Sequence, residues 1–467
     1  MLKNNRPFLL LYTALVIIAY AVGMRVELSY HYVQLLDPKF LVGHFWESIY
    51  NLHCQPPMLN FILGTLLWLQ GLTGIKAETF VLAMNFVMGL AVTASVATLA
   101  KAMIKDRLVS NIVIVLFLVN PYLYRAVFTY FYTIHELLYL TLLGVLVYGY
   151  LKAPRLRTYA FICLISACLV YTHSLFHFLW PLPVMIALPW LMRRHPDLNI
   201  KGTVAAAALT VVILLAWPVK NYARFGYFGY SSWQGLAFTT EPVSVPAIEV
   251  PAEFRDIPVL ADKYKSNGTP NWNHYSVIPF SSWMQHKFIE RVEKRPGLLW
   301  ERAVFFYLEG YTIYDGRSTW TGKMYANTPA MRLWQRAYEI IVFQYVAESE
   351  LEGVVLGPHT GLVFAFPVIV AFALACVFRW RKRSPGEAAT AAFMLYCILW
   401  VLLLTLTVNG FEGNRYRFAT EPMLMVLAGW LIVENRGARM RNPVIYVTLS
   451  LCVIQAAVNW FLWTGRG

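Results

Sequence analysis

MLNFILGTLLWLQGLTGI, residues 58–75, is the stretch whose assignment decides the orientation of every later segment of the chain. It is strongly apolar, but it contains glycines and barely reaches the roughly 20 residues that a membrane crossing needs. If it crosses, the loops that follow exchange sides. The distribution of basic residues along the chain therefore has to settle the matter.

The apolar runs that remain when 58–75 is set aside alternate with short basic loops. They lie at about 79–100, 109–121, 131–151, 158–173, 176–192, 202–219, 359–378, 388–408, 420–434 and 443–463, which with the first run makes about eleven spans. The basic residues then fall in alternate loops: Lys101, Lys105, Arg107; Lys152, Arg155, Arg157; Arg193, Arg194, Lys201; Arg379, Arg381, Lys382, Arg383; Arg436, Arg439, Arg441. Such loops face the cytoplasm. We therefore place 58–75 in the outer interface, as a re-entrant or amphipathic pair, so that 25–78 becomes one external loop.

Composition supports the same class. The 467 residues are 58% hydrophobic and 14% charged, with a mean hydropathy of +0.52, which predicts an all-α polytopic membrane protein. The net charge of +14 lies in the short loops rather than on a polar domain, so it orients helices and does not indicate nucleic acid. We interpret the first apolar run, which ends at Met24, as a helix rather than a signal peptide, because no small-x-small cleavage site follows it.

Three regions follow from this arrangement. Residues 1–222 form an N-terminal membrane module that includes loop 25–78, and residues 359–467 form a C-terminal membrane module. Between them, 223–358 is rich in Pro, Trp and Tyr and predicts a small mixed external cap with interfacial helices. We see no inverted repeat, which disfavours a secondary transporter.

The external loop contains the most unusual polar sequence, VELSYHYVQLLDPKFLVGHFWESIYNLHCQPPMLN at 26–60. Its carboxylates are candidates for a general base at the membrane surface: Glu27 directly after the first helix, then Asp37 before a proline, then Glu47. His53 and Gln55, beside the turn-forming prolines, are candidates for binding a substrate.

Cationic candidates lie on the same face. Arg415 and Arg417, in NGFEGNRYRFATEP at 409–422, suit phosphate oxygens, and they share a face if the segment is extended but not if it is helical. The alternative is that these two arginines contact ordinary lipid headgroups or pair with nearby glutamates. Lys220, with Asn221 beside it, opens the large loop and is a further candidate of this kind.

Two histidine sites complete the set. His135 and Glu136 at the outer end of a span either contact a substrate or cap the helix. His173 and His177 would lie one helical turn apart, but without a third ligand at a telling spacing we expect satisfied histidines rather than a metal site.

Three motifs resemble the GT-C glycosyltransferases, particularly protein O-mannosyltransferases and the aminoarabinose transferase of lipid A. HCQPPMLN at 53–60 resembles the H-x-P-P-L element of their first external loop. GNRYRFATEPMLMVLAGWL at 413–431 is similar to an N-R-Y-R-x-x-x-x-P-x-x-x-x-L-A segment, and PVKNYARFGYFGYSSWQG at 218–235 to the R-N-x-x-x-x-G-x-x segment before the large loop.

The resemblance implies an inverting transfer of a sugar from a polyprenyl phosphate to a glycan, lipid or protein, on the periplasmic side of a bacterial inner membrane or in a lumen. It also implies an acidic base early in the first external loop, often in an Asp-Glu pair, whereas this chain reads Val26-Glu27. Asp37 and Glu47 therefore stay as alternatives. Some members of the family use a divalent metal, and this sequence indicates none. An O-antigen-ligase-like or polymerase-like enzyme with a lipid-diphosphate donor is the alternative function, followed by a flippase or transporter, which the nearly charge-free spans disfavour.

Overall fold

The structure, a computed structural model, describes residues 2–26, 28, 34–233, 235, 249–301, 333–334, 370, 373–374, 376–377, 384–407 and 413–435. Side chains at 2–4, 405–407, 413–417 and 435 are outside this description, as are Glu27, His31, most of 302–383 and everything after 435. The predicted spans 359–378 and 443–463 and much of the predicted cap therefore lie outside the described residues.

The described chain is helical and contains no named strand, as predicted for an all-α protein. Its helices are α1 (Leu2–Ala21), α2 (Pro38–Gly43), α3 (Phe45–Tyr50), α4 (Met58–Thr73), α5 (Ala77–Met103), α6 (Arg107–Leu118), α7 (Pro121–Val127), α8 (Tyr132–Lys152), α9 (Leu156–Thr172), α10 (Pro181–Leu191), α11 (Ile200–Phe225), α12 (Pro258–Ala261), α13 (Val277–Lys294), α14 (Pro385–Thr407) and α15 (Gly413–Asn435).

Four of the described helices are long and apolar enough to cross a membrane: α5, α8, α11 and α14. The α6–α7 pair makes a fifth if it is taken as one span with a 51° bend. The chain is therefore an integral membrane protein, but the predicted number of about eleven spans is not confirmed. The 11 residues of α10 reach only about 16 Å, and α10 begins at Pro181 rather than near 176 as predicted.

Helix α8 is the centre of the bundle. It packs against α5, α9, α14 and α15, and α1 packs against α5. Small residues permit these close approaches: a Cβ at Gly144 of α8 would lie 2.9 Å from the Leu99 side chain, and a Cβ at Gly89 of α5 would overlap the ring of Tyr12. Substitution of either glycine would therefore require the Leu99 or Tyr12 side chain to move.

Most of the segment between the predicted spans 109–121 and 131–151 is helical and forms α7, which is joined to α6 by the bend. Asn120 sits at the break and accepts a hydrogen bond from the backbone N–H of Tyr122 through its side-chain oxygen, at 3.0 Å, which starts α7. Pro121 is the first residue of α7, where a missing N–H costs nothing. The segment thus turns across the end of the bundle as a helix.

Helix α4 ends at Gly74, which has a φ of 73° and closes the helix in the left-handed conformation. Its 16 residues span about 24 Å, less than the hydrocarbon core of a bilayer. The interfacial placement of this helix stays a prediction.

Candidate functional site

The turn at 51–57, NLHCQPP, joins α3 to α4 and is bound by side chains from four other parts of the chain. Asn273, in the loop before α13, supplies the first contacts. Its side-chain oxygen accepts hydrogen bonds from the backbone N–H groups of His53 (2.8 Å) and Cys54 (3.2 Å), and its side-chain nitrogen donates to the carbonyl of Asn51 (3.2 Å). One buried amide thus fixes three successive peptide groups of this turn.

The imidazole of His53 is fully buried and both of its nitrogens are engaged. Nε2 lies 3.0 Å from the carbonyl oxygen of Asn273, and Nδ1 lies 2.7 Å from the hydroxyl of Ser232. Burial, reinforced by the charge of Lys220, lowers the pKa of His53 to about 3, so the ring is neutral at pH 7. A carbonyl only accepts, so Nε2 carries the proton and Nδ1 accepts from Ser232. His53 therefore anchors the turn, and its predicted contact with substrate stays a prediction.

The end of α11 binds the same turn. Nζ of Lys220 donates to the carbonyl of Leu52 at 2.6 Å and lies 3.7 Å from the centroid of the Trp217 ring. Nε of Arg224 donates to the side-chain oxygen of Asn51 at 3.2 Å. Among the described residues no carboxylate forms an ion pair with Lys220.

The chain after α11 then returns to the turn. Gly226, with a φ of 68°, ends the helix, and Asn221 donates to the carbonyl of Gly229 at 2.7 Å, which closes the return. The hydroxyl of Ser231 donates to the carbonyl of Cys54, and the N–H of Ser232 donates to the carbonyl of His53 at 2.9 Å. Asn221 thus shapes the loop that carries these two serines.

Gln55 faces the α9–α10 connection, where its side-chain oxygen accepts from the hydroxyl of Ser174 at 3.3 Å. The neighbouring His173 pairs through Nδ1 with Oε1 of Glu136 at 2.6 Å. Helix α9 ends at Thr172, so the expectation that His173 and His177 lie one helical turn apart is wrong. No group of three or more potential ligands among the described His, Cys, Asp and Glu residues could hold a metal ion.

Two of the predicted bases have other partners. Asp37 is buried; Oδ1 accepts from the N–H of Lys39 at 3.0 Å, and Oδ2 accepts from both the N–H and the hydroxyl of Ser266. Burial alone would raise the pKa of Asp37, but the bonds from Ser266 and Lys39 outweigh it and hold the pKa below its usual range. Glu47 is exposed and lies 3.2 Å from Nδ1 of His44.

The backbone of Arg415 and Arg417 lies in the first turns of α15, so the helical alternative holds and the two residues do not share a face. At the other end of α15, Glu434 lies 3.2 Å from Lys105, in a loop predicted to face the cytoplasm. The first turns of α15 therefore lie at the opposite end of that helix, where Phe418 packs against Tyr122 of α7 with a centroid distance of 6.2 Å.

Of the side chains that bind the 51–57 turn, the sequence indicated Lys220 but not Asn273, Ser231 or Ser232. Asn273 lies in NWNHYS at 271–276, which is conspicuous in the sequence but has no periodicity or spacing that would link it to His53, 220 residues away. Ser231 and Ser232 lie inside the resembling segment at 218–235, which offered the only signal.

No protein-family model matches the sequence, and no curated protein does. Among solved structures, the chain is similar to the apo crystal structure of the oligosaccharyltransferase of Archaeoglobus fulgidus, with a TM-score of 0.40 and 12% identity over 98% of this chain and 54% of that one. The chain thus spans about half the length of that protein. At this distance the function has to be argued from the residues of the chain itself.

Proposed function

We propose that the protein is a membrane glycosyltransferase that moves a sugar from a polyprenyl-phosphate donor to a glycan, lipid or protein acceptor, with inversion at the anomeric carbon. One observation carries the proposal. Two of the three motif segments on which the family resemblance rests, 53–60 and 218–235, lie more than 150 residues apart in sequence and bind each other directly. This contact supports the proposal that these two motifs belong to one site.

In this proposal, basic side chains bind the phosphate of the donor. Lys220 lies beside the 51–57 turn, where Nζ donates to a carbonyl and lies over an aromatic face, and no carboxylate among the described residues pairs with it. Arg415 and Arg417 begin the helix that carries the third motif. Cations placed at the departing phosphate would stabilise the negative charge that develops as the sugar–phosphate bond breaks.

A carboxylate takes part in removing the proton from the acceptor. Asp37 is saturated by hydrogen bonds and Glu47 is exposed beside His44, so neither has the surroundings expected of a base. Glu27 remains a prediction from the sequence. We place this reaction on the face opposite the basic loops, which is the periplasmic face if the protein resides in a bacterial inner membrane.

Native mass spectrometry tests the donor class directly. We expect the purified protein to bind one member of a panel of polyprenyl-phosphate sugars and to lose that binding in Arg415→Ala/Arg417→Ala. The matched control is Arg155→Ala/Arg157→Ala, which removes two exposed arginines of the same spacing at the start of α9, on the face that we assign to the cytoplasm. Selective binding of diphosphate-linked oligosaccharides would instead favour a ligase-like enzyme, and binding without any consumption of donor would favour a flippase.

A further inference from the structure

The C-terminal end of α11 carries two basic side chains that both reach the 51–57 turn. Lys220 and Arg224 are four residues apart, so they lie on the same side of the helix. Nζ of Lys220 donates to the carbonyl of Leu52 at 2.6 Å, and Nε of Arg224 donates to the side-chain oxygen of Asn51 at 3.2 Å. Two positively charged groups therefore bind neighbouring residues of the same turn.

Arg224 uses only part of its guanidinium group in the described contacts. The group lies over the ring of Phe254, 4.9 Å from the ring centroid, and its Nε is engaged by Asn51. No described residue accepts a hydrogen bond from Nη1 or Nη2, and none of the ion pairs between described residues includes Arg224. These two nitrogens form a planar fork that matches two oxygens of a phosphate.

This end of α11 is accessible from the lipid side. Lys220 and Arg224 are half-buried, whereas the side chains of Val219 and Tyr222 beside them are 52% and 62% exposed, and Ala223 is also exposed. Exposed apolar side chains on a spanning helix contact lipid. Long basic side chains near the end of such a helix extend to the membrane surface. A ligand that resides in the bilayer therefore reaches both cations without passing through the core of the protein.

An apolar surface leads along α11 to these cations. It consists of Leu209, Ile213 and Ala216, which lie 11, 7 and 4 residues before Lys220, spacings that place them on its side of the helix. All three are exposed, Leu209 at 61% and Ile213 at 43%. Only 28% of the apolar window of α11 is buried, against at least 44% for the other three spans, so this helix has the most lipid-facing surface. We call these three residues the α11 ridge; it extends about 16 Å from Lys220.

We propose that the fork of Arg224 binds the phosphate of the donor beside Lys220, and that the adjoining part of the polyprenyl chain lies along the α11 ridge; this inference rests on the proposed function. Like charges one helical turn apart repel each other, and a phosphate between them offsets the repulsion. The chain replaces ordinary lipid on a surface that is already apolar and exposed. The bound phosphate then lies directly beside the 51–57 turn.

Native mass spectrometry of the purified full chain tests the phosphate contact with three lipids: the selected polyprenyl-phosphate sugar, polyprenyl phosphate without the sugar, and phosphatidylglycerol. In Arg224→Ala we expect the affinity for the first two to fall by about 10- to 100-fold and by the same factor, because the lost contact is to the phosphate. Arg224→Lys, which keeps the charge but lacks the fork, should give a smaller loss, and it serves as the test if Arg224→Ala fails to fold.

Two control variants separate binding from support of the turn. Arg255→Ala removes an exposed arginine whose Nε also donates to an oxygen, the carbonyl of Val250 at 3.3 Å, and it should bind the donor as the wild type does. Asn51→Ala removes the acceptor of Nε but leaves the charge and the fork of Arg224. It should therefore weaken donor binding much less than Arg224→Ala does.

Photo-crosslinking tests the path of the chain. A photoreactive amino acid at position 213 should attach the polyprenyl-phosphate sugar on illumination, and Arg224→Ala should reduce the yield. The matched control is the same amino acid at position 87, because Val87 is 62% exposed on the spanning helix α5. The donor should not be attached there above the background found with an excess of unlabelled lipid.

The outcomes separate the inference from the function on which it rests. Unchanged affinity of Arg224→Ala for both polyprenyl lipids, equal losses in Arg224→Ala and Asn51→Ala, or equal crosslinking at positions 213 and 87 would overturn the inference and leave the proposed function standing. An equal loss of phosphatidylglycerol binding would show that Arg224 contacts ordinary headgroups, which also overturns it. A wild type that binds neither polyprenyl lipid would overturn the proposed function and the inference with it.

Discussion

Asp37 and Glu136 are both buried carboxylates, and their surroundings differ in one decisive respect. Both oxygens of Asp37 accept hydrogen bonds from protein groups, one from Lys39 and the other twice from Ser266. Glu136 accepts one bond, from a titratable imidazole, and no described residue donates to its second oxygen. The difference indicates that Asp37 holds two loops together, whereas described residues hold Glu136 through one oxygen only.

Removal of the Asp37 carboxylate should give the largest change in stability. Asp37→Ala removes the cap of α2 and the acceptor of two hydrogen bonds from Ser266, which we expect to cost about 2–4 kcal/mol. Thermal and urea unfolding of the detergent-solubilised protein would measure the change. Glu136→Gln, which keeps a hydrogen-bonding side chain, should cost less, and the reverse ranking would break the comparison.

The second prediction concerns acid. Because the folded-state pKa of Asp37 lies below its unfolded-state value, its contribution to stability is complete above the unfolded-state pKa and is lost as the pH falls through the folded-state pKa. The wild type should therefore lose stability below about pH 4 more steeply than Asp37→Asn does. Unfolding midpoints in urea from pH 6 to pH 3 would measure both slopes, and parallel slopes would show that the loop contact does not depend on the charge.

The third prediction isolates Asn273. Asn273→Ala removes one acceptor and one donor that together hold three peptide groups of the 51–57 turn, so we expect a loss of about 2–3 kcal/mol in stability. Consumption of the sugar donor should also fall, because Gln55, Ser231 and Ser232 would lose their fixed positions. Asn267→Ala is the control, since Asn267 is exposed and its side chain bonds only within its own turn.

The sequence predicted the helical membrane architecture, because long apolar runs and short basic loops leave few alternatives. That the polar motifs gather on one face of the membrane stays a prediction. The sequence did not predict that Asp37 would be saturated, since the Asp-Pro dipeptide signals a cap or turn but not a partner 229 residues away. Likewise, the isolated positions of Glu136 and His173 carry no sign of their pairing, which arises only when α8 packs against α9.

Removal of the ion pair between Lys39 and Asp262, next to Asp37, should give the smallest loss of stability. It therefore tests whether the hydrogen bonds of Asp37 matter more than exposed charge. Lys39 and Asp262 pair at 2.7 Å between the same two segments that Asp37 and Ser266 join, but their side chains are 46% and 43% exposed. Water solvates both charges in the unfolded chain and largely in the folded one, so Lys39→Ala should cost at most about 1 kcal/mol. The loss should shrink further in high salt, because exposed charges are screened. If Lys39→Ala destabilised the protein as much as Asp37→Ala does, charge rather than the hydrogen bonds of Asp37 would hold the two segments together. The contrast between the structural role of Asp37 and the surroundings of Glu136 would then be wrong.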